Sequence, residues 1–135
     1  MGALYPFSLN EKLARITENS PWYSDANASP WGRAIIPLEM VSVLAEYSSH
    51  AAKFPVKGPA VGLFIDLEVR RHAPVFVDET YTLTHEVVGL GQSRRVESYW
   101  TRTRLTDDDG ARGATVLLHQ GVFKASYADY PADRL

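Results

Sequence analysis

A tyrosine and three carboxylates are the groups in this chain best placed by type and spacing to move a proton: Tyr23, Asp25, Glu39 and Glu46. The first two lie in an irregular polar loop within the stretch Asn19 to Met40, NSPWYSDANASPWGRAIIPLEM, which runs straight into an amphipathic segment. That order reads as the mouth of a substrate tunnel opening onto the N-terminus of a buried helix. Glu39, Ser42, Glu46 and His50 recur at steps of three or four, which places them along one helix face. On a surface helix such a stripe is simply solvated. On a helix surrounded by sheet, the remaining face meets a partner or a site, and Glu39 in the first turn sits where the helix dipole favours a carboxylate. Asp25 either caps the loop backbone through its carboxylate, as Asp does in turns, or orients a substrate. Around these groups, Trp22, Trp31, Gly32, Arg33 and Ile36 are the candidates for binding. The tryptophans serve as wall or as core. Gly32 lets the backbone approach a ligand or makes a turn with positive φ.

The elements that must position these groups follow from periodicity. Ser8 before NEKLARITE is a suitable N-cap for a short helix, with Glu11 completing a capping box. Pro37 suits a first helical position, and Leu38, Val41, Leu44, Ala45, Ser48, Ala51 and Ala52 continue at helical spacing to about Lys53. Phe54-Pro55 and Lys57-Gly58-Pro59 stop that helix. Beyond Gly58 the period becomes two. Val61, Leu63, Ile65, Leu67 and Val69 alternate with Gly62, Phe64, Asp66, Glu68 and Arg70, a half-buried strand near 61–72. Further strands are predicted near 79–89, 93–105 and 112–125, with Gly89 and Gly91 marking one turn and Asp107-Asp108-Asp109-Gly110 a hairpin. The tail from Tyr127 is polar and reads as a frayed end. One long helix followed by four strands on tight turns excludes a doubly wound sheet, which needs more helices. The fold class is therefore α+β, an antiparallel sheet curled around one helix. Its open edges predict pairing across a two-fold axis, in a dimer or a higher even-numbered oligomer.

The totals narrow the chemistry further. A chain of 135 residues fits a single domain, 1–135, and 45% hydrophobic with 22% charged residues is an ordinary globular balance. A net charge of −2 gives no electrostatic reason to expect nucleic acid or an anionic membrane. With no Cys there are no disulfides, thiolate nucleophiles or Cys-based zinc sites. His50, His72, His85 and His119 lack metal-type spacing, so no metal is expected. Neither a Gly-x-Ser-x-Gly elbow nor a Gly-rich phosphate loop occurs, and no cofactor is implied. MGALYPFSLNEKL lacks the pattern of a secretory signal and no apolar run approaches the ~20 residues of a membrane span, so the expected compartment is cytoplasmic.

Two blocks resemble the MaoC-like hydratase/dehydratase branch of the hotdog fold. In SPWYSDANASPWGRAIIPLEM, Pro21 and Asp25 match the family's proline and second aspartate, and Trp31, Gly32, Arg33 and Ile35 match its Phe-Gly-Arg-x-Ile core. In VRRHAPVFVDETYTLTHEVVG, Ala73, Pro74, Val75 and Thr80 stand in register, with Asp78-Glu79 in place of Gly-Asp. The second block is shared with hotdog thioesterases and speaks for the fold. The resemblance implies an acyl thioester substrate, on coenzyme A or acyl carrier protein, to which water is added or from which it is removed. It implies an Asp–His pair acting on a bound water and the substrate α-carbon. This chain departs there: Glu18 stands at the Asp position, Tyr23 at the His position, Ser20 replaces the Asn, and Pro37-Leu38 replaces the downstream His-Gly. A tyrosine with a pKa near ~10 is a poor base at neutral pH but a serviceable acid or hydrogen-bond donor. Two alternatives follow from the departures. One is a thioesterase using Glu46 or Glu39, and the other is a non-catalytic subunit paired with a second hotdog chain. Arg94 and Arg95, with Arg102 and Arg104, either meet the phosphates of coenzyme A or are exposed charges partnered by nearby Asp and Glu.

Overall fold

The computed structural model describes residues 9–51 and 62–124. Ser8, the helix-stopping residues 54–59, the tail from Tyr127 and the side chain of His50 lie outside the described residues. A short helix, α1 (Leu9–Leu13), leads to the loop that begins at Asn19. The long helix, α2 (Leu38–Ala51), begins one residue later than its spacing predicts. Pro37 sits at the capping position, where its carbonyl accepts from the Met40 N–H at 3.0 Å. Four strands follow: β1 (Gly62–Arg71), β2 (Thr82–Gln92), β3 (Val96–Thr106) and β4 (Arg112–Phe123). They form one antiparallel sheet in the order β1-β4-β3-β2. Among the described residues no helix follows α2.

The helix lies on one face of the sheet because each supplies one apolar surface. Val41 and Ala45 of α2 are buried against Leu105 of β3, Ala114 and Val116 of β4, and Val75 from the β1–β2 connection. Val69, Tyr81 and Leu83 extend this cluster toward both edges. Leu38, expected on the apolar stripe, is 44% exposed at the first turn instead.

Two expectations about the strands are corrected. Alternation along β1 breaks at Ile65: pairing runs Phe64 with Gln120 and then Asp66 with His119. The bulge adds one residue and shifts the phase, so Leu67 and Val69 face the helix while Ile65 falls out of step with them. Gly89 and Gly91 do not make the turn. They lie inside β2, which continues to Gln92, and the chain reverses at Ser93–Val96, where Ser93 N–H donates to Val96 O at 2.8 Å. Both glycines make room for an indole. A Cβ at Gly89 would sit 3.1 Å from Trp100 Cε3, and one at Gly91 3.0 Å from Trp100 Cη2. The other hairpin closes as its sequence predicts. Asp107 Oδ1 accepts from Asp109 and Ala111 N–H at 3.0 and 2.8 Å, and Gly110 takes the φ of +80° the turn requires.

Candidate active site

The loop ahead of α2 is held by its own short-range bonds. Ser20 Oγ accepts from Trp22 N–H at 3.3 Å and caps the single 3-10 turn Pro21–Tyr23. Asp25 N–H then returns to Pro21 O at 2.9 Å. Asp25 Oδ1 accepts from Asn27 N–H at 2.9 Å, which is the local capping role open to Asp, and the residue is exposed. Trp31 N–H reaches Ser29 Oγ, and Gly32 turns the chain at φ +66° with open space where a Cβ would stand. The backbone conformation therefore explains Gly32. Trp22 and Trp31 pack edge to face at 5.6 Å, each partly exposed.

Long-range bonds tie this loop to the β1–β2 connection. Ile36 N–H donates to Val75 O and Val77 N–H to Ala34 O, at 2.7 and 3.0 Å, while Ile35 N–H closes the loop on itself at Trp22 O, 2.9 Å away. Arg33 locks the junction. Its guanidinium donates to Asp78 Oδ1 (2.6 and 3.0 Å) and Glu79 Oε2 (2.7 Å) and lies 4.1 Å above the Phe76 ring. These carboxylates raise the Arg33 pKa further, and Arg33 in turn holds the Asp78 carboxyl below its ordinary value. Phe76 N–H donates to Tyr81 Oη at 2.9 Å. Ile36 packs on the core cluster.

Tyr23 is the buried member of the loop, 7% exposed. Burial raises its pKa, and so does the interaction with the Glu18 carboxylate. The charges of Glu18 and Glu39 act in the same direction, while Arg71 at the end of β1 opposes them. Tyr23, Glu18, Glu39 and Arg71 thus form one electrostatic group where the loop, the first turn of α2 and the end of β1 meet. Such a group can present a protonated phenol beside two carboxylates and one guanidinium. With its pKa raised, the phenol stays protonated at neutral pH and suits a hydrogen-bond donor or acid rather than a base. Arg71 is the member that sequence reasoning missed. Its only signal was the Arg70-Arg71 doublet, in which alternation sends Arg70 to the outer face and Arg71 toward the helix.

The remaining candidates are placed as follows. Glu39 is exposed in the first helical turn, with Ser42 Oγ donating to its carbonyl at 2.8 Å, and Glu46 is half-buried farther along α2. Asp25 is held in its own loop turn. The two described depressions, of about 430 and 350 Å³, are lined by sheet residues and by none of these groups. Among the described residues no set of three or more His, Cys, Asp or Glu could hold a metal. No helix there is long and apolar enough to cross a membrane.

No family model matches the sequence, and no curated protein matches it. Solved structures do match the fold. The chain superposes on a chain of the C-terminally truncated HadBC (3R-hydroxyacyl-ACP dehydratase) complex of Mycobacterium tuberculosis with a TM-score of 0.74 and 17% identity, covering 84% of each chain. A MaoC-like dehydratase gives 0.76 at 17% identity over 87% of this chain, which spans only 38% of that longer one. The (R)-hydratase from A. caviae involved in PHA biosynthesis gives 0.63 at 21% identity, covering 83% of both. At these identities the likeness is one of fold. The chain has the hotdog fold, an antiparallel sheet around a single long helix, as those hydratases and dehydratases do.

Proposed function

We propose that this hotdog chain acts on an acyl thioester, adding water to a trans-enoyl group or removing it from a 3-hydroxyacyl group, with Tyr23 and Glu18 as its acid–base pair. One observation carries the reading: Tyr23 is buried beside the Glu18 carboxylate, which raises its pKa, and by resemblance these two positions correspond to the His and Asp of MaoC-like hydratases. In hydration Glu18 takes a proton from water as its oxygen attacks the β-carbon. Tyr23 gives its proton to the α-carbon, and the proton on Glu18 returns to the phenolate. Dehydration runs the same transfers backwards, so protons and electrons balance without a cofactor. Arg71 steadies the phenolate formed on the way, and Glu39 in the first α2 turn faces the thioester end. Asp25, in its own loop turn, and Glu46, farther along α2, are the further carboxylates near this end of the chain that substitution can test. Trp22, Trp31, Gly32, Arg33 and Ile36 form its wall, with Arg33 acting through the loop it anchors. The substrate is carried on coenzyme A or on acyl carrier protein.

A panel of enoyl and 3-hydroxyacyl thioesters of several chain lengths tests this. Absorbance of the conjugated thioester should fall with enoyl substrates and rise with 3-hydroxyacyl ones. Release of free thiol with no change in the double bond would instead assign thioester hydrolysis, by Glu46 or Glu39. A second reading has its own support, since the HadBC neighbour is a complex of two chains. In that reading this chain is a non-catalytic subunit. Turnover that appears only with a co-purified second hotdog chain would assign it.

A further inference from the structure

The outer face of the sheet, opposite α2, carries a set of arginines that the proposed reaction does not use. Register places them in rows across the strands. Arg70 of β1 and Arg104 of β3 both pair with Thr115 of β4, and in the next row Glu68 and Arg102 both pair with Leu117. Neighbouring strands lie about 4.8 Å apart, so Arg70 and Arg104 flank Thr115 at a separation that long side chains can close. Together with Arg112 they line a depression of about 430 Å³, with Leu117 as apolar floor. That volume lies within the range of small-ligand sites.

The charges there do not cancel. Arg102 and Arg104 share a single oxygen, Glu86 Oε1, at 3.3 and 2.8 Å, and Arg70 pairs with Glu68. Four guanidiniums against two carboxylates leave a local excess of two positive charges on a chain whose net charge is −2. Each guanidinium carries five N–H donors in a rigid fork, far more than two carboxylates can accept. His72 Nε2 and the Thr115 hydroxyl stand 2.9 Å apart, a polar pair between the forks. The arginines stand on paired strands, so their backbones are fixed before a ligand arrives. Forked donors around one concavity match the oxygens of phosphate, which arginine binds bidentately.

We propose that this depression is a binding site for a multiply charged phosphate group, either free or at the nucleotide end of a coenzyme A thioester. The site does not depend on the thioester reading, because it lies on the opposite face of the sheet and is read by binding alone. The test is calorimetric titration of the full chain with pyrophosphate, coenzyme A and 3′-dephospho-coenzyme A. It is paired with NMR observation of arginine side-chain Nε–H signals. Saturable binding is expected, with shifts at Arg70, Arg102, Arg104 and Arg112. Arg70→Gln with Arg104→Gln should weaken it about tenfold or more, while Arg94→Gln, outside the depression, leaves it unchanged. Coenzyme A binding much tighter than dephospho-coenzyme A or pyrophosphate assigns the nucleotide source, and equal affinities assign free phosphate. If the double variant does not fold, the wild-type shifts decide. The proposal is overturned if no phosphate probe saturates at millimolar concentration, if an acidic carrier protein binds while the small probes do not, or if the arginine signals stay still while binding occurs.

Discussion

Tyr23 shows how burial sets a protonation preference that residue type leaves open. A free phenol in the loop could have packed its ring and left its hydroxyl in water. Burial and the Glu18 carboxylate instead raise its pKa. The identities of Tyr23, Asp25 and Arg33 were legible in the sequence, but their bonds were only partly so. The Asp25 turn spans two residues and follows from local chemistry. The partners of Arg33 lie 45 and 46 residues away, beyond the reach of spacing rules. Two groups make acid stability separable. Desolvation lowers the His85 pKa from 6.5, so the folded chain resists a proton that the unfolded chain accepts. Its stabilising effect is complete above about pH 6.5 and is lost as pH falls through the folded value. Arg33 lowers the Asp78 pKa from 3.8, so that contribution persists until the pH drops below this value. Melting temperature against pH should therefore decline in two stages. His85→Gln should flatten the first and Asp78→Asn the second; profiles that coincide with wild type would contradict both assignments.

At the scale of elements, periodicity alone located α2 and all four strands to within a few residues. It failed where one residue type serves two geometries. Gly89 and Gly91 look like turn residues, yet they lie beneath Trp100, which stacks on His119 with ring centroids 3.9 Å apart. No local pattern distinguishes a glycine that bends the chain from one that clears space for a ring on the next strand. The bulge at Ile65 was hidden for a similar reason, since the extra residue is itself apolar and preserves the look of alternation. Space is tightest at Gly121 of β4, where an added Cβ would stand 2.5 Å from Val96 Cγ1 and 3.2 Å from Ile65 Cδ1. Gly121→Ala should destabilise the chain by about 1–3 kcal/mol in urea unfolding. Leu105→Ala, at a fully buried position of β3, should cost about 2–5 kcal/mol. An unchanged unfolding midpoint in either variant would mean that the packing described here is wrong.

Among the described residues, both edges of the sheet are unpaired. β1 exposes Phe64, Ile65 and Leu67 at one edge, and β2 exposes Val87, Val88 and Leu90, the last 81% exposed, at the other. Such edges favour pairing with another chain, so light scattering at micromolar concentration should report a dimer or a higher even-numbered assembly. A monomer would contradict that expectation. The antiparallel arrangement was readable because four strands on tight turns admit few topologies. The meeting of loop, helix and β1 around Tyr23 was only partly readable, because Arg71 arrives from a strand that the sequence places some fifty residues away. The central claim is that Tyr23 and Glu18 move the protons. Its most direct test is the initial rate of enoyl-thioester hydration by the wild type, Tyr23→Phe and Glu18→Gln, with folding checked by circular dichroism. Each variant should keep its fold and lose on the order of 100-fold or more in turnover. Wild-type rates in both folded variants would contradict the account.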